Sequence, residues 1–163
     1  MAYFDEEFLA KAEKLCARYP RRGAALLPVL GLLQRERGFI ATEAIDEISS
    51  FLGVPQSRVL AVAGFYTMLR RSPAGRYHIQ VCRGISCHMA GATRLLGLLG
   101  KKLGVADGGT TPDGLFTVSS VECLGACGEA PSLSVNGAYF GGVDEAALDA
   151  LLDDLRHGRL ERR

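Results

Sequence analysis

The sequence predicts an α+β fold: an N-terminal helical bundle followed by a small mixed sheet flanked by helices. Three observations predict it. From Phe4 to about Leu69, apolar residues recur at helical spacing. Ser72-Pro73-Ala74-Gly75 then breaks the pattern, because Pro and Gly cannot continue a helix. Beyond the break the period drops to two, with Tyr77, Ile79 and Val81 alternating with His78, Gln80 and Cys82, which is the repeat of a strand. The expected domains are a helical bundle over 1–72 and a sheet-containing domain over 76–163. A chain of 163 residues is long enough for two small cores.

Each element has its own signal. Phe8, Leu9, Ala12, Leu15 and Cys16 mark the first helical stripe, ended by Pro20. Leu26, Leu27, Leu30 and Leu33 mark the second, with Pro28 tolerable only in its first turn. Thr42 is placed to cap a third helix carrying Ile45, Ile48, Phe51 and Leu52, stopped by Gly53. Pro55 opens a fourth, with Val59, Val62, Ala63, Tyr66 and Leu69 on its apolar side. After the break come a strand over Tyr77–Cys82 and a helix carrying Leu95, Leu96, Leu98, Leu99 and Leu103. A glycine-rich loop and a strand over about Leu115–Val121 follow. Leu133 and Val135, Asn136-Gly137, then Tyr139 signal a hairpin, since Asn-Gly favours the turn whose twist matches the strands. Asp144 caps a last helix with Leu148, Leu151, Leu152 and Leu155, closed by Gly158. The order β-α-β-β-β-α implies a parallel β-α-β unit with a right-handed crossover and an added hairpin. That arrangement is similar to a reduced thioredoxin-type fold.

Composition excludes several function classes. Lys plus Arg is 19 and Asp plus Glu is 18, a formal net charge of +1. No basic excess marks a nucleic-acid or membrane-surface protein. The apolar uncharged stretch Gly23 to Gln34 has 12 residues and contains Pro28; a membrane-spanning helix needs roughly 20. The start Met1-Ala2-Tyr3-Phe4 turns acidic at Asp5, Glu6 and Glu7, unlike a secretory signal, so a cytoplasmic location is expected. No two glycines stand two residues apart, and Gly100-Lys101 is followed by Lys102. Both nucleotide-binding signatures are therefore absent, and Asp107 to Thr111 reads as a plain turn.

The chemistry lies in the cysteines. Of five, four form two pairs: Cys82-x4-Cys87, and Cys123-Leu124-Gly125-Ala126-Cys127. Each pair begins at the end of a predicted strand and enters a loop. If those strands are neighbours and parallel, both loops reach the same edge of the sheet and four thiolates converge. Thiolates suit zinc, iron–sulfur clusters or disulfides, and a cytoplasmic setting disfavours structural disulfides. Structural zinc commonly uses tighter C-x2-C hooks. A [2Fe–2S] cluster is longer than one ion, with two cysteines per iron, so it suits two wider hooks. Gly84, Gly125 and Gly128 let backbone N–H groups turn toward sulfur, and Arg83 either adds positive charge or is solvated. A zinc-stabilised structural protein remains an alternative. A thiol-redox enzyme needs C-x-x-C near a helix start, a spacing neither pair has.

With the two hooks, Ala130-Pro131 follows, and the combination resembles the thioredoxin-like [2Fe–2S] ferredoxins. Tyr19-Pro20, Gly38-Phe39-Ile40, Ala63-Gly64-Phe65-Tyr66, Gly75-x-Tyr77-His78 and Thr111-Pro112-Asp113-Gly114 extend the likeness from roughly Ala10 to Leu155. Over that span the chain resembles the E-subunit family of NADH-quinone oxidoreductase, the small flavoprotein-fragment subunit of respiratory complex I. Gly64 stands where the family commonly has Ser. The resemblance implies a subunit that carries one [2Fe–2S] cluster on Cys82, Cys87, Cys123 and Cys127. It implies docking on the subunit that binds NADH and FMN, beside further iron–sulfur subunits. It implies no complete active site on this chain, and a cytoplasmic location, peripheral to the membrane through the complex. Soluble NAD-dependent formate dehydrogenases and NAD-linked or bifurcating hydrogenases use an equivalent small subunit and stand as the alternative.

The remaining polar and aromatic residues have plainer readings. Cys16 sits on an apolar stripe and reads as a small buried hydrophobe. His88 follows a predicted ligand and reads as solvated or packed, and His78 as outward and structural. Phe65-Tyr66, at helical spacing, reads as core rather than as an interface anchor. Arg156, Arg159, Arg162 and Arg163 read as a solvated tail.

Overall fold

A computed structural model of the chain describes residues 3–159. The chain divides into two compact units, Met1–Pro73 and Ala74–Arg163.

The first unit has four helices: α1 (Glu6–Cys16), α2 (Leu26–Arg37), α3 (Glu43–Leu52) and α4 (Gln56–Phe65). Asp5 caps α1, its carboxylate accepting the Phe8 N–H at 2.8 Å. Phe8, Ala12 and Cys16 then face inward, among Val29, Leu30 and Leu33 of α2, Ile45, Ile48 and Leu52 of α3, and Val59 of α4. Gly53 ends α3 in the left-handed conformation, φ +65°. Thr42 occupies the predicted cap of α3, but its side chain makes no capping bond. A short 3-10 turn, Arg22–Ala25, precedes α2. Periodicity gives no sign of it, because long-range contacts hold it. Arg22 makes paired bonds to Glu13 at 2.7 and 2.9 Å and lies 4.7 Å over the Phe51 ring.

The end of α4 differs from the sequence expectation. The helix stops at Phe65, and Tyr66 is extended (φ −84°, ψ 103°). Gln34 then takes up the freed backbone. Its amide donates to Met68 O at 2.8 Å and its carbonyl accepts the Arg70 N–H at 2.5 Å. With Leu69 turned into the core, Phe65 and Met68 point outward, 78% and 68% exposed. Phe65-Tyr66 is therefore surface, and Tyr66 and Leu69 do not share a helical stripe.

The second unit contains β1 (Tyr77–Cys82), α5 (Ile85–Met89), α6 (Ala92–Leu103), β2 (Phe116–Val121), β3 (Leu133–Val135), β4 (Ala138–Phe140) and α7 (Glu145–Arg156). The sheet order is β2-β1-β3-β4, with β1 and β2 parallel and the other pairs antiparallel. This is the mixed sheet the sequence predicts. Asn136 and Gly137 both have positive φ, +49° and +88°, as the two-residue hairpin turn requires. Tyr77, Ile79 and Val81 are buried with Leu95 and Leu99 of α6 and Leu148, Leu152 and Leu155 of α7. Helices α6 and α7 lie side by side, joined by Lys102 to Asp149 at 2.8 Å and to Glu145 at 3.5 Å. Asp144 caps α7 by accepting the Ala147 N–H at 2.8 Å. Asp144→Ala should lower unfolding free energy by about 1 kcal/mol, read as an earlier urea midpoint; an unchanged midpoint would show that the cap is inert.

Helix α5 has no counterpart in the sequence expectation. Five residues are too few to show a period, and Cys87 and His88 read from sequence as loop. Arg159 is less free than a solvated tail implies, since it pairs with Asp153 and Asp154 at 2.7 and 2.8 Å; Arg162 and Arg163 lie outside the described residues. Among the described residues no helix is long and apolar enough to cross a membrane.

Candidate metal centre

The parallel register sets the site. Cys82, the last residue of the central strand β1, stands opposite Val121, the last residue of β2. Cys123 lies two residues beyond that end. The ladder grips this corner from both sides: Arg83 N–H donates to Val121 O at 2.7 Å, and Cys82 N–H donates to Ser132 O at 3.1 Å. Cys87 follows on α5, whose backbone starts with His88 N–H donating to Gly84 O at 2.8 Å. Cys82 and Cys87 are buried, whereas Cys123 and Cys127 are exposed. None of the five cysteines is paired in a disulfide.

Backbone N–H groups converge on sulfur as expected, though not all from the expected residues. Burial pushes the Cys82 thiol up, but the N–H groups of Leu124 and Gly84, with the side chains of Cys87 and Ser132, outweigh it and hold the thiol below its ordinary range. Gly125, with φ +76°, turns its N–H onto Cys123 Sγ at 3.3 Å. Gly84 has an ordinary φ of −52°, so backbone freedom is not the reason for a glycine there. A Cβ at Gly84 would lie 3.4 Å from Cys82 Sγ and 3.8 Å from Cys123 Sγ. The missing side chain leaves the space between the two hooks open.

The sulfurs of Cys82 and Cys123 thus flank Gly84, and Cys87, on α5, has its sulfur against Ser132 Oγ. Cys127 opens a 3-10 turn, Cys127–Glu129, four residues beyond Cys123. Among the described residues no three His, Cys, Asp or Glu side chains surround a single point as one metal ion requires. A two-iron cluster makes a different demand, two thiolates at each end. The residues present fit that group: soft thiolates, N–H donors on two of the sulfurs, and an open space flanked by both hooks.

Several neighbours take no part. No sulfur among the described residues accepts from Gly128, the third predicted donor. Arg83 bonds to Glu122 at 2.6 Å, both side chains exposed. The exposed His88 ring meets Thr93 Oγ1 at 3.3 Å through Nδ1. His78 Nε2 meets Ser119 Oγ at 2.8 Å across β1 and β2. Cys16 lies in the core of the first unit, where burial pushes its thiol up.

Two participants carry no mark in the sequence. Leu124 acts only through its N–H. Ser132 is wholly buried, with its hydroxyl 3.3 Å from Cys87 Sγ. Its only sequence signal is its place between Pro131 and strand β3, which no motif marks.

Comparison with known proteins agrees with this chemistry. The family described as "Thioredoxin-like [2Fe-2S] ferredoxin" matches residues 12–156. An E subunit of NADH-quinone oxidoreductase from Rhizobium meliloti is 44% identical over 144 residues, covering 88% of this chain and 86% of that protein. NADH-quinone oxidoreductase subunit 2 of Thermus thermophilus is 44% identical over 164 residues, covering 98% and 89%. Among solved structures, an NAD+-reducing [NiFe]-hydrogenase in the air-oxidised state overlays 82% of this chain with a TM-score of 0.71 and 27% identity; the match spans 23% of the hydrogenase chain. With the family pattern running through both cysteine hooks and the helical unit before them, the chain belongs to the thioredoxin-like [2Fe–2S] ferredoxins.

Proposed function

We propose that this chain is the electron-transfer subunit of an NADH-quinone oxidoreductase, holding one [2Fe–2S] cluster on Cys82, Cys87, Cys123 and Cys127. The observation that carries it is the parallel register of β1 and β2, which delivers two cysteine hooks to one corner where N–H groups already point at sulfur. The bound cluster supplies a one-electron couple. A hydride brings two electrons, so a separate centre must divide them. On this reading that centre is FMN in the NADH-binding subunit, beside which this chain docks. The chain's own residues ligate the cluster, screen one of its ends from water through the burial of Cys82 and Cys87, and direct N–H donors at its sulfurs. The domain over 76–163 is the cluster domain, and 1–72 is the helical one. Exposed Phe65, Tyr66 and Met68 on the first, and Ile85 and Met89 flanking Cys87 on the second, are the apolar surfaces offered to partner subunits. The reading implies a peripheral place on the cytoplasmic side of the membrane.

The hydrogenase overlay favours a second reading, the same role in a soluble NAD-linked hydrogenase. Co-purification of the native complex separates the two, by membrane-arm subunits against a nickel subunit. The chemistry is tested first on the pure chain. Anaerobic reconstitution should give sulfide-to-iron absorption in the visible and a spin-half signal on reduction. A colourless protein with one zinc per chain would overturn the proposal.

A further inference from the structure

The proposed ligands account for every sulfur at this corner but not for Ser132. Its side chain is fully buried. Its hydroxyl lies 3.3 Å from Cys87 Sγ. Its own carbonyl accepts the Cys82 N–H at 3.1 Å, so backbone and side chain of one residue both hold the first hook. Burying a hydroxyl among apolar neighbours is unfavourable unless it is bonded. Here its bonding partner is the Cys87 sulfur of the first hook.

We propose that Ser132 is a positioning residue that donates its O–H to the Cys87 thiolate and raises the reduction potential of the bound cluster. In the free thiol form, either Cys87 or Ser132 can donate. Once Cys87 is a ligand it is a thiolate with no proton, and the Ser132 hydroxyl holds the only hydrogen between them. The donor direction is then fixed. Adding an electron raises the negative charge spread over the ligand sulfurs. A hydrogen bond to a more charged acceptor is stronger, so the O–H stabilises the reduced form more than the oxidised one. Hydrogen bonds to the sulfurs are among the factors that set such potentials. The peptide N–H groups of Gly84 and Leu124 survive any change of their own side chains. The Ser132 hydroxyl can be removed by substitution, so tuning through it is separable from ligation.

The inference rests on the proposed cluster but not on which complex holds the chain. The test is a redox titration of the reconstituted full chain, followed by the spin-half signal. Ser132→Ala removes the hydroxyl with little change of shape. The reduced-to-oxidised ratio at a fixed poise should fall about tenfold, the order expected for one hydrogen bond to a charged group. For a one-electron couple that is a downward shift of about 59 mV. Ser132→Thr keeps the O–H and should titrate close to the parent, while the matching Ser132→Val should fall as Ala does. The Thr and Val pair decides the matter if Ala does not load iron. Equal potentials within both pairs overturn the proposal. Loss of iron from all three variants also overturns it, by assigning Ser132 to assembly instead. Failure of the unmutated chain to bind a cluster at all is a different result, which sinks the proposed function.

Discussion

Cys82→Ala should give a colourless protein that still folds. Cys82 stands where the site is most prepared. It ends the central strand, it is buried, and the N–H groups of Leu124 and Gly84 help hold its thiol below the ordinary range. Removing its thiolate leaves one end of the site with an incomplete ligand set and two N–H groups without their acceptor. Changes one shell out from a metal cost roughly 10–100-fold in affinity, and loss of a ligand should exceed that. Iron and sulfide per chain should therefore fall below detection under conditions that load the parent. Far-UV circular dichroism should be retained, because β1 keeps its partners β2 and β3 through backbone bonds that do not involve the sulfur. Cys16→Ala is the matched control. It lies in the core of the other unit and should stay coloured at a stability cost on the order of 1 kcal/mol. A Cys82→Ala protein that keeps its visible spectrum, or a Cys16→Ala protein that loses it, would refute the assignment. Cys127→Ala is the most informative of the remaining three. The structure relates Cys82 and Cys123 through the space at Gly84 and Cys82 and Cys87 through Ser132, while Cys127 enters the ligand set from spacing and family likeness. Its loss of colour would complete the set.

How much of the molecule is legible in its sequence depends on whether the signal is local. The alternation along Tyr77–Cys82 and the hooks' position at strand ends are local, and parallel pairing of the two strands follows from the connection between them. That is enough to predict a common corner for the first cysteine of each hook, Cys82 and Cys123. Asn136-Gly137 likewise announces its turn. The site residues that sequence does not reveal act through tertiary placement. Ser132 reaches sulfur because β3 pairs antiparallel with β1, and no pattern in its own neighbourhood says so. Leu124 contributes a peptide group, which its side chain does not advertise. Gly84 matters, as its sequence context suggests, but for a different reason: its value is the space it leaves, not the conformation it allows. Phe65 reads as core only because a helical period continues on paper past the point where Gln34 captures the backbone and ends the helix.

The space at Gly84 leads to the second large effect. Gly84→Val should abolish cluster loading without unfolding the chain. The backbone there, φ −52° and ψ 155°, is one that any L-residue adopts and that β-branched residues accept, so no conformational strain follows. The Gly84 N–H also survives the substitution. What changes is the volume between the hooks. A Cβ alone would stand 3.3 Å from Glu122 O, 3.4 Å from Cys82 Sγ and 3.8 Å from Cys123 Sγ. Gly84→Ala is therefore tight against one carbonyl and in ordinary contact with both sulfurs, so it should load iron at reduced yield. The two further methyls of valine extend from a Cβ already against Glu122 O and the Cys82 sulfur, and crowding there separates the two hooks. The expected series is full iron content for the parent, partial for alanine and none for valine, with the urea midpoint of the iron-free proteins changing by less than about 1 kcal/mol equivalent. If valine loads iron as the parent does, the cluster does not occupy the space beside Gly84, and the geometry argued from the Cys82 and Cys123 sulfurs is wrong. If valine instead shifts the iron-free midpoint by several kcal/mol, Gly84 serves the packing of the corner rather than the cluster.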